Sequence, residues 1–157
     1  MRILKNGFSL PEIIVVLAIM LIITSVSTRI FQNANKKQSL EKAVSNIVSV
    51  INSVRSLAVS SKEFCSYGIN ISTTSNSISS FVVLDPNCNS NNFEPTFLSL
   101  NNFGTIISSS TIGNGEVTFQ RITGNIANTY FLSLQLRDNS DSSTTITIYP
   151  TGLLEIK

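Results

Sequence analysis

GFSLPEIIVVLAIMLII, residues 7–23, is the stretch on which the reading of this chain turns. Between Ile13 and Ile23 no side chain is polar, and no charge stands between Glu12 and Arg29. With flanking residues the apolar segment covers positions 8–28, which matches the ~20 residues a helix needs to cross a bilayer. Arg2 and Lys5 precede it. By the positive-inside rule they hold the N-terminus in the cytoplasm and send the remainder outward. A cleaved secretory signal is the competing interpretation, with Thr24, Ser25, Val26 and Ser27 as a loose cleavage site. Two features oppose it. An acidic residue, Glu12, opens the apolar run. Beyond the supposed site the pattern passes into an amphipathic helix instead of ending.

Glu12 also has an ordinary explanation. Ser9, Leu10, Pro11 and Glu12 fit the S-x-x-E capping box that opens a helix, with Pro11 where first-turn N–H groups lack helical partners and Glu12 against the positive helix end. A cap does not explain a carboxylate at the edge of a membrane segment, where it is costly unless paired.

The short basic leader, Gly7, Phe8, Ser9, Leu10, Pro11, Glu12 and the apolar run together resemble the cleavage and methylation signal of type IV prepilins and type II secretion pseudopilins. The resemblance implies that prepilin peptidase cuts between Gly7 and Phe8 and methylates the new Phe8 amine. It implies that Glu12, fifth in the mature chain, pairs with a neighbouring subunit's N-terminal amine during assembly. It also implies an inner-membrane assembly platform and other pilin or pseudopilin subunits as partners, with membrane lipid around the helix before assembly. Pro11 departs from the family pattern, which has an aliphatic residue before the glutamate.

After Thr28 apolar residues recur at helical spacing. Leu40, Ala43, Val44, Ile47, Val50, Ile51, Val54, Leu57 and Ala58 form one broad stripe, while Lys36, Lys37, Glu41, Lys42 and Asn46 lie mostly off it. No Pro or Gly interrupts residues 12–67. One helix over residues 10–62 is therefore expected, loosened at 25–35 by β-branched, Ser and Asn residues of low helix propensity.

From Tyr67 onward short alternating runs are separated by turn residues. Strands are predicted at 67–72, 78–84, 97–101, 105–109, 117–122, 130–137, 144–149 and 153–156. Residues 138–143 read as a polar hairpin loop, and Gly152 as a tight turn. Asp138, Asn139, Ser140 and Asp141 faintly resemble the start of a calcium loop, but the glycine and closing glutamate of such loops are missing, so a solvated hairpin is expected. Residues 87–92 read as a surface turn. The fold class is α+β: a long N-terminal helix packed on a C-terminal antiparallel sheet domain with one apolar face. The organisation expected is a leader at 1–7, a transmembrane or filament-core helix at 8–28, an amphipathic helix at 29–63 and a β-rich head at 64–157. Leu57-Ala58, the run from Phe64 to Ile69, Glu116 to Phe119, and Ile146 to Ile156 are similar, more loosely, to the GspH/FimT group of minor pseudopilins and pilins.

Cys65 and Cys88 show no metal-site spacing. If the head lies outside the cytoplasm a disulfide is natural, worth roughly 3 kcal/mol on a chain-entropy account. Two buried free thiols are the alternative. The chain has no His, and only 13% of its residues are charged. That composition removes the commonest general base and metal ligand. No catalysis, metal or cofactor is expected. Residues 29–63 carry Arg29, Lys36, Lys37, Lys42, Arg55 and Lys62 against Glu41 and Glu63, a balance of about +4. Residues 64–157 carry Arg121, Arg137 and Lys157 against Asp85, Glu94, Glu116, Asp138, Asp141 and Glu155, about −3. A nucleic-acid binder would concentrate basic charge on the head, so no nucleic acid is expected. The reading is a structural filament subunit of a type IV pilus or type II secretion-like machine. A pilus-associated DNA-uptake or adhesion subunit and a plain membrane-anchored extracellular β domain are the alternatives.

Overall fold

A computed structural model describes residues 10–60, 64–83, 88, 93–112 and 115–157, the side chains of 26–33 and 139–141 excepted. Ser9, the Gly7/Phe8 junction and the 87–92 turn (apart from Cys88) lie outside the described residues. The chain divides into two compact units, Met1–Lys36 and Lys37–Lys157.

One helix, α1, covers Leu10–Val59. Its backbone continues through the 25–35 segment where loosening was expected, because nothing there forbids helical torsions: the residues are poor formers, not breakers. At its end the carbonyls find partners outside the helix. The Ser60 N–H donates to Ser56 O at 2.9 Å and its hydroxyl to Leu57 O at 3.0 Å, while the Ile122 N–H donates to Ala58 O at 3.0 Å. These bonds satisfy groups that a helix terminus leaves open.

Eight strands follow: β1 Ser66–Ser72, β2 Ser77–Val83, β3 Phe97–Ser99, β4 Thr105–Ser110, β5 Gly115–Phe119, β6 Tyr130–Leu136, β7 Asn139–Ile148 and β8 Leu154–Ile156. They form two four-stranded antiparallel sheets, ordered β3-β2-β1-β5 and β4-β6-β7-β8, where a single sheet face had been expected. Leu40, Ala43, Val44, Ile47, Ile51, Val54 and Ala58 of α1 share one buried core with Tyr67, Ile69, Ile71, Ile78, Val117 and Phe119 of the first sheet and Ile107, Leu132, Leu134, Leu136, Ile146 and Ile148 of the second. The helical period and the strand period of two meet in that core.

Several boundaries differ from expectation for identifiable reasons. β3 stops at Ser99 because Leu100–Phe103 turn into a 3₁₀ helix, closed by Gly104 at φ 63°. β5 stops at Phe119 because the chain folds back there: Gln120 N–H donates to Asn125 O and Gly124 N–H to Gln120 O, both at 2.8 Å, and Ile122 takes φ 73°. The polar loop expected at 138–143 is mostly strand. Leu136 pairs with Asn139, so only Arg137 and Asp138 turn the corner, and the register then shifts so that Gln135 faces Ser143. β8 reaches only Ile146, Thr147 and Ile148 of β7, with Lys157 bonded to Thr145, so the polar start of β7 lies on an open edge. Polarity there was compatible with a bulged edge strand as well as with a loop.

The two sheets are joined through one buried amide. Asn76 closes the β1–β2 turn in left-handed conformation, φ 52°, which Asn tolerates better than most residues. Its Nδ2 donates to Thr105 O at 2.6 Å, and its Oδ1 accepts from the Ile107 N–H at 2.8 Å. The side chain thus copies a peptide group and pairs with the edge of β4. Asn101 Oδ1 accepts from Asn76 Nδ2 at 3.2 Å and from Arg137 Nη2 at 2.7 Å, which orients the amide. Asn76→Ala would leave a buried N–H and a buried C=O without partners and keep the disfavoured torsion. We expect it to cost about 2–4 kcal/mol, read by urea unfolding of the full chain in detergent, with Asn76→Gly recovering only the smaller, torsional part.

Candidate assembly site

The first residues of α1 carry the chemistry on which assembly would rest. Pro11 and Glu12 stand in the first turn, and Glu12 is exposed. From Leu10, 75% exposed, to Ile23, 59% exposed, every apolar side chain of the stretch is open, on all faces of the helix. A helix that is apolar all round belongs in lipid or in a protein core. The hydroxyls that end the run are turned inward. Thr24 Oγ1 donates to Met20 O at 2.9 Å and Leu21 O at 3.1 Å, and Ser25 Oγ donates to Ile22 O at 2.8 Å. Back-bonding of this kind removes the desolvation penalty a free hydroxyl would bring to an apolar medium. Among the described residues no helix is long and apolar enough to cross a membrane.

Within the head, Cys65 and Cys88 are brought together as a disulfide, Cα atoms 4.7 Å apart. The free-thiol alternative is thereby excluded. The bond ties the start of β1 to the segment after β2, beside Tyr67, whose ring meets Phe93 at 5.5 Å between centroids. The end of α1 is held by a feature the sequence reading passed over. Arg55 lies between two left-handed glycine turns, Gly124 at φ 68° and Gly152 at φ 75°. A Cβ on Gly124 would come within 2.6 Å of Val59 Cγ2, and one on Gly152 within 2.5 Å of Arg55 Nε. Arg55 Nη2 donates to Thr151 O at 3.2 Å. Gly152 was legible as a turn; that its missing side chain makes room for an arginine was not.

The outer face of the second sheet carries a small polar network. The Tyr149 hydroxyl donates to Glu155 Oε2, and Lys157 Nζ lies 3.2 Å from Glu155 Oε1. The Tyr149 hydrogen bond, helped by Lys157, holds the Glu155 carboxyl below its ordinary range, and the same bond raises the Tyr149 phenol. Among the described residues no group of His, Cys, Asp or Glu is placed to hold a metal ion, and Asp138 of the faint calcium motif sits exposed at a hairpin corner.

No protein-family model matches the chain, and no curated protein matches it in sequence. Solved structures do match. The type IV minor pilin FimU of Pseudomonas aeruginosa aligns over 76% of this chain and 89% of its own with TM-score 0.59 at 13% identity. The minor pseudopilin EpsH from the Type 2 Secretion System of Vibrio cholerae aligns over 76% of this chain and 96% of its own, TM-score 0.59, at 12% identity. The chain has the fold of the minor pilins and pseudopilins. The α+β class and the resemblance drawn from the N-terminal residues and the loose head motifs agree with that fold. At such low identity the pilin fold is retained through pattern, not residue identity: a helical stripe, alternating strands and turns.

The exposed network of the head titrates in a definite direction. Tyr149 ionises above the ordinary phenol value because ionisation costs it the bond to Glu155, so its contribution is present below pH ~10 and lost as pH rises through the folded value. Glu155 contributes above the ordinary carboxylate value and loses its contribution as pH falls. Tyrosinate absorbance should include a component with its midpoint above the ordinary value that is lost in Tyr149→Phe and moved back down in Glu155→Gln.

Proposed function

We propose that this chain is a structural subunit, not an enzyme, of a type IV pilus or type II secretion-like filament, processed between Gly7 and Phe8 and N-methylated on Phe8. The observation that carries the proposal is the apolar helix exposed on every side from Leu10 to Ile23, in a chain whose head has the minor pilin and pseudopilin fold. Such a helix needs an apolar environment, and a filament subunit has two in succession. Before assembly residues 8–28 lie in lipid, with the N-terminus in the cytoplasm and the head outside. After assembly they lie among the same segments of neighbouring subunits.

Glu12 supplies register in this scheme. Moving a carboxylate into an apolar surrounding is costly, and an ammonium within a few ångströms offsets much of the penalty. The Phe8 amine of an adjacent subunit is that ammonium. Subunits therefore settle where the charges meet, and elsewhere sliding of apolar helices carries little penalty. The disulfide between Cys65 and Cys88 agrees with a head that matures outside the cytoplasm. Prepilin peptidase and an inner-membrane assembly platform are the remaining partners of the scheme.

Mass spectrometry of the mature N-terminus should find N-methylated Phe8; cleavage near Ser27 would instead mean a secreted β domain and end the proposal. Glu12→Ala should leave insertion and cleavage intact and strongly reduce incorporation into filaments, measured by the sheared-filament fraction on immunoblots. Normal incorporation of that variant would remove the register role.

A further inference from the structure

Among the described residues the second sheet ends in an open edge beside an apolar groove. β8 is its last strand, and its register shows which main-chain groups are free. Lys157 and Thr145 exchange both backbone bonds, at 2.8 and 2.9 Å, and Tyr149 N–H donates to Leu153 O at 2.9 Å. In an antiparallel ladder hydrogen-bonded pairs alternate with non-bonded ones. Leu154 opposite Ile148 and Ile156 opposite Ile146 are therefore the non-bonded pairs. The N–H and C=O groups of Leu154 and Ile156 point away from β7, out from the sheet edge. Their side chains fall on the same face as the buried Ile146 and Ile148, yet Ile156 is 51% exposed. Beside it runs a groove of about 360 Å³, bounded by Val44, Ser45 and Val48 of α1 and by Thr144 and Ile156, with Glu41 on its rim.

We propose that this edge accepts an extended polypeptide segment of a partner protein as an added strand. A strand laid antiparallel to β8 would pair its backbone with Leu154 and Ile156. The residues that make those bonds would, by the same alternation, direct their side chains into the groove. Its walls suit aliphatic, β-branched side chains at alternate positions. Glu41 specifies a lysine or arginine at the end of the segment. Lys37, one turn earlier on α1, stands in the weaker order for a helical ion pair with Glu41 and competes little. The features needed are an open ladder, a neighbouring groove and a rim charge, and all three belong to the head, so the proposal stands apart from the filament reading.

The test uses the full chain in detergent micelles and a fluorescein-labelled peptide of alternating valine and threonine with a lysine at each end. Fluorescence anisotropy should rise saturably with protein concentration. Ile156→Pro removes one outward N–H and no bond to β7, a substitution edge strands tolerate, and should weaken binding about tenfold. Ser45→Trp, at an exposed position, should fill the groove and weaken binding similarly while the ladder edge stays intact; Glu41→Lys should also weaken it. The same peptide N-methylated on its valines should not bind. The proposal is overturned by an absence of saturable binding, by binding indifferent to both Ile156→Pro and Ser45→Trp, or by equal binding of the methylated peptide. A peptide-independent dimer that Ile156→Pro abolishes would assign the edge to a second copy and overturn the partner named here.

Discussion

Burial of one stripe of α1 is the constraint from which the head is built. Leu40, Ala43, Val44, Ile47, Ile51, Val54 and Ala58 are all buried, and each large aliphatic among them is worth roughly 1.5–3 kcal/mol. With the stripe in a common core, β1, β2 and β5 must turn Tyr67, Ile69, Ile71, Ile78, Val117 and Phe119 inward, and β6 and β7 must do the same with Leu132, Leu134, Leu136, Ile146 and Ile148. The polar residues between them then fall on the outer faces. The details that hold the head to α1 follow: the Ile122 N–H on Ala58 O, and the two glycine turns around Arg55.

The same helix shows the opposite condition at its start. Its residues from Leu10 to Ile23 are as apolar as any core, yet none is covered. A stripe tells a helix which way to face; a helix apolar on every side carries no such instruction. Its location has to be set by something else, and in the filament proposed above Glu12 sets it, since a carboxylate has a large preference among otherwise equivalent apolar positions. Thr24 and Ser25, by bonding back to their own turn, add no competing preference.

Much of this was legible along the chain. Seven of the eight strands and the C-terminal half of β7 were placed to within a few residues by alternation and turn chemistry, as was the helical stripe by its spacing, because both are local periodicities that side-chain direction imposes. Legibility failed where a residue acts across the fold. Asn76 falls between the strands predicted at 67–72 and 78–84, and its two bonds to β4 depend on Thr105 and Ile107 arriving from another sheet. Arg55 reads as one more solvated charge, and its position depends on Gly124 and Gly152. The start of β7 reads as a loop because its polarity is that of an unpaired edge, and which strand is unpaired is a property of sheet order.

By itself, then, the sequence determined the elements and their faces: a helix apolar all round, then apolar on one side, then eight alternating strands. Its resemblance to the prepilin signal, carried by a short basic stretch, a glycine and a carboxylate at the edge of an apolar run, also pointed to Gly7, Phe8 and Glu12. Tertiary structure alone decided that the strands divide into two sheets and that β8 ends, among the described residues, with its edge open beside the groove. The reason is physical. Periodicity fixes which way a side chain points from its own backbone, but sheet partners, disulfides and grooves are set by which distant segments share one core, and that is settled by the packing of all of them together.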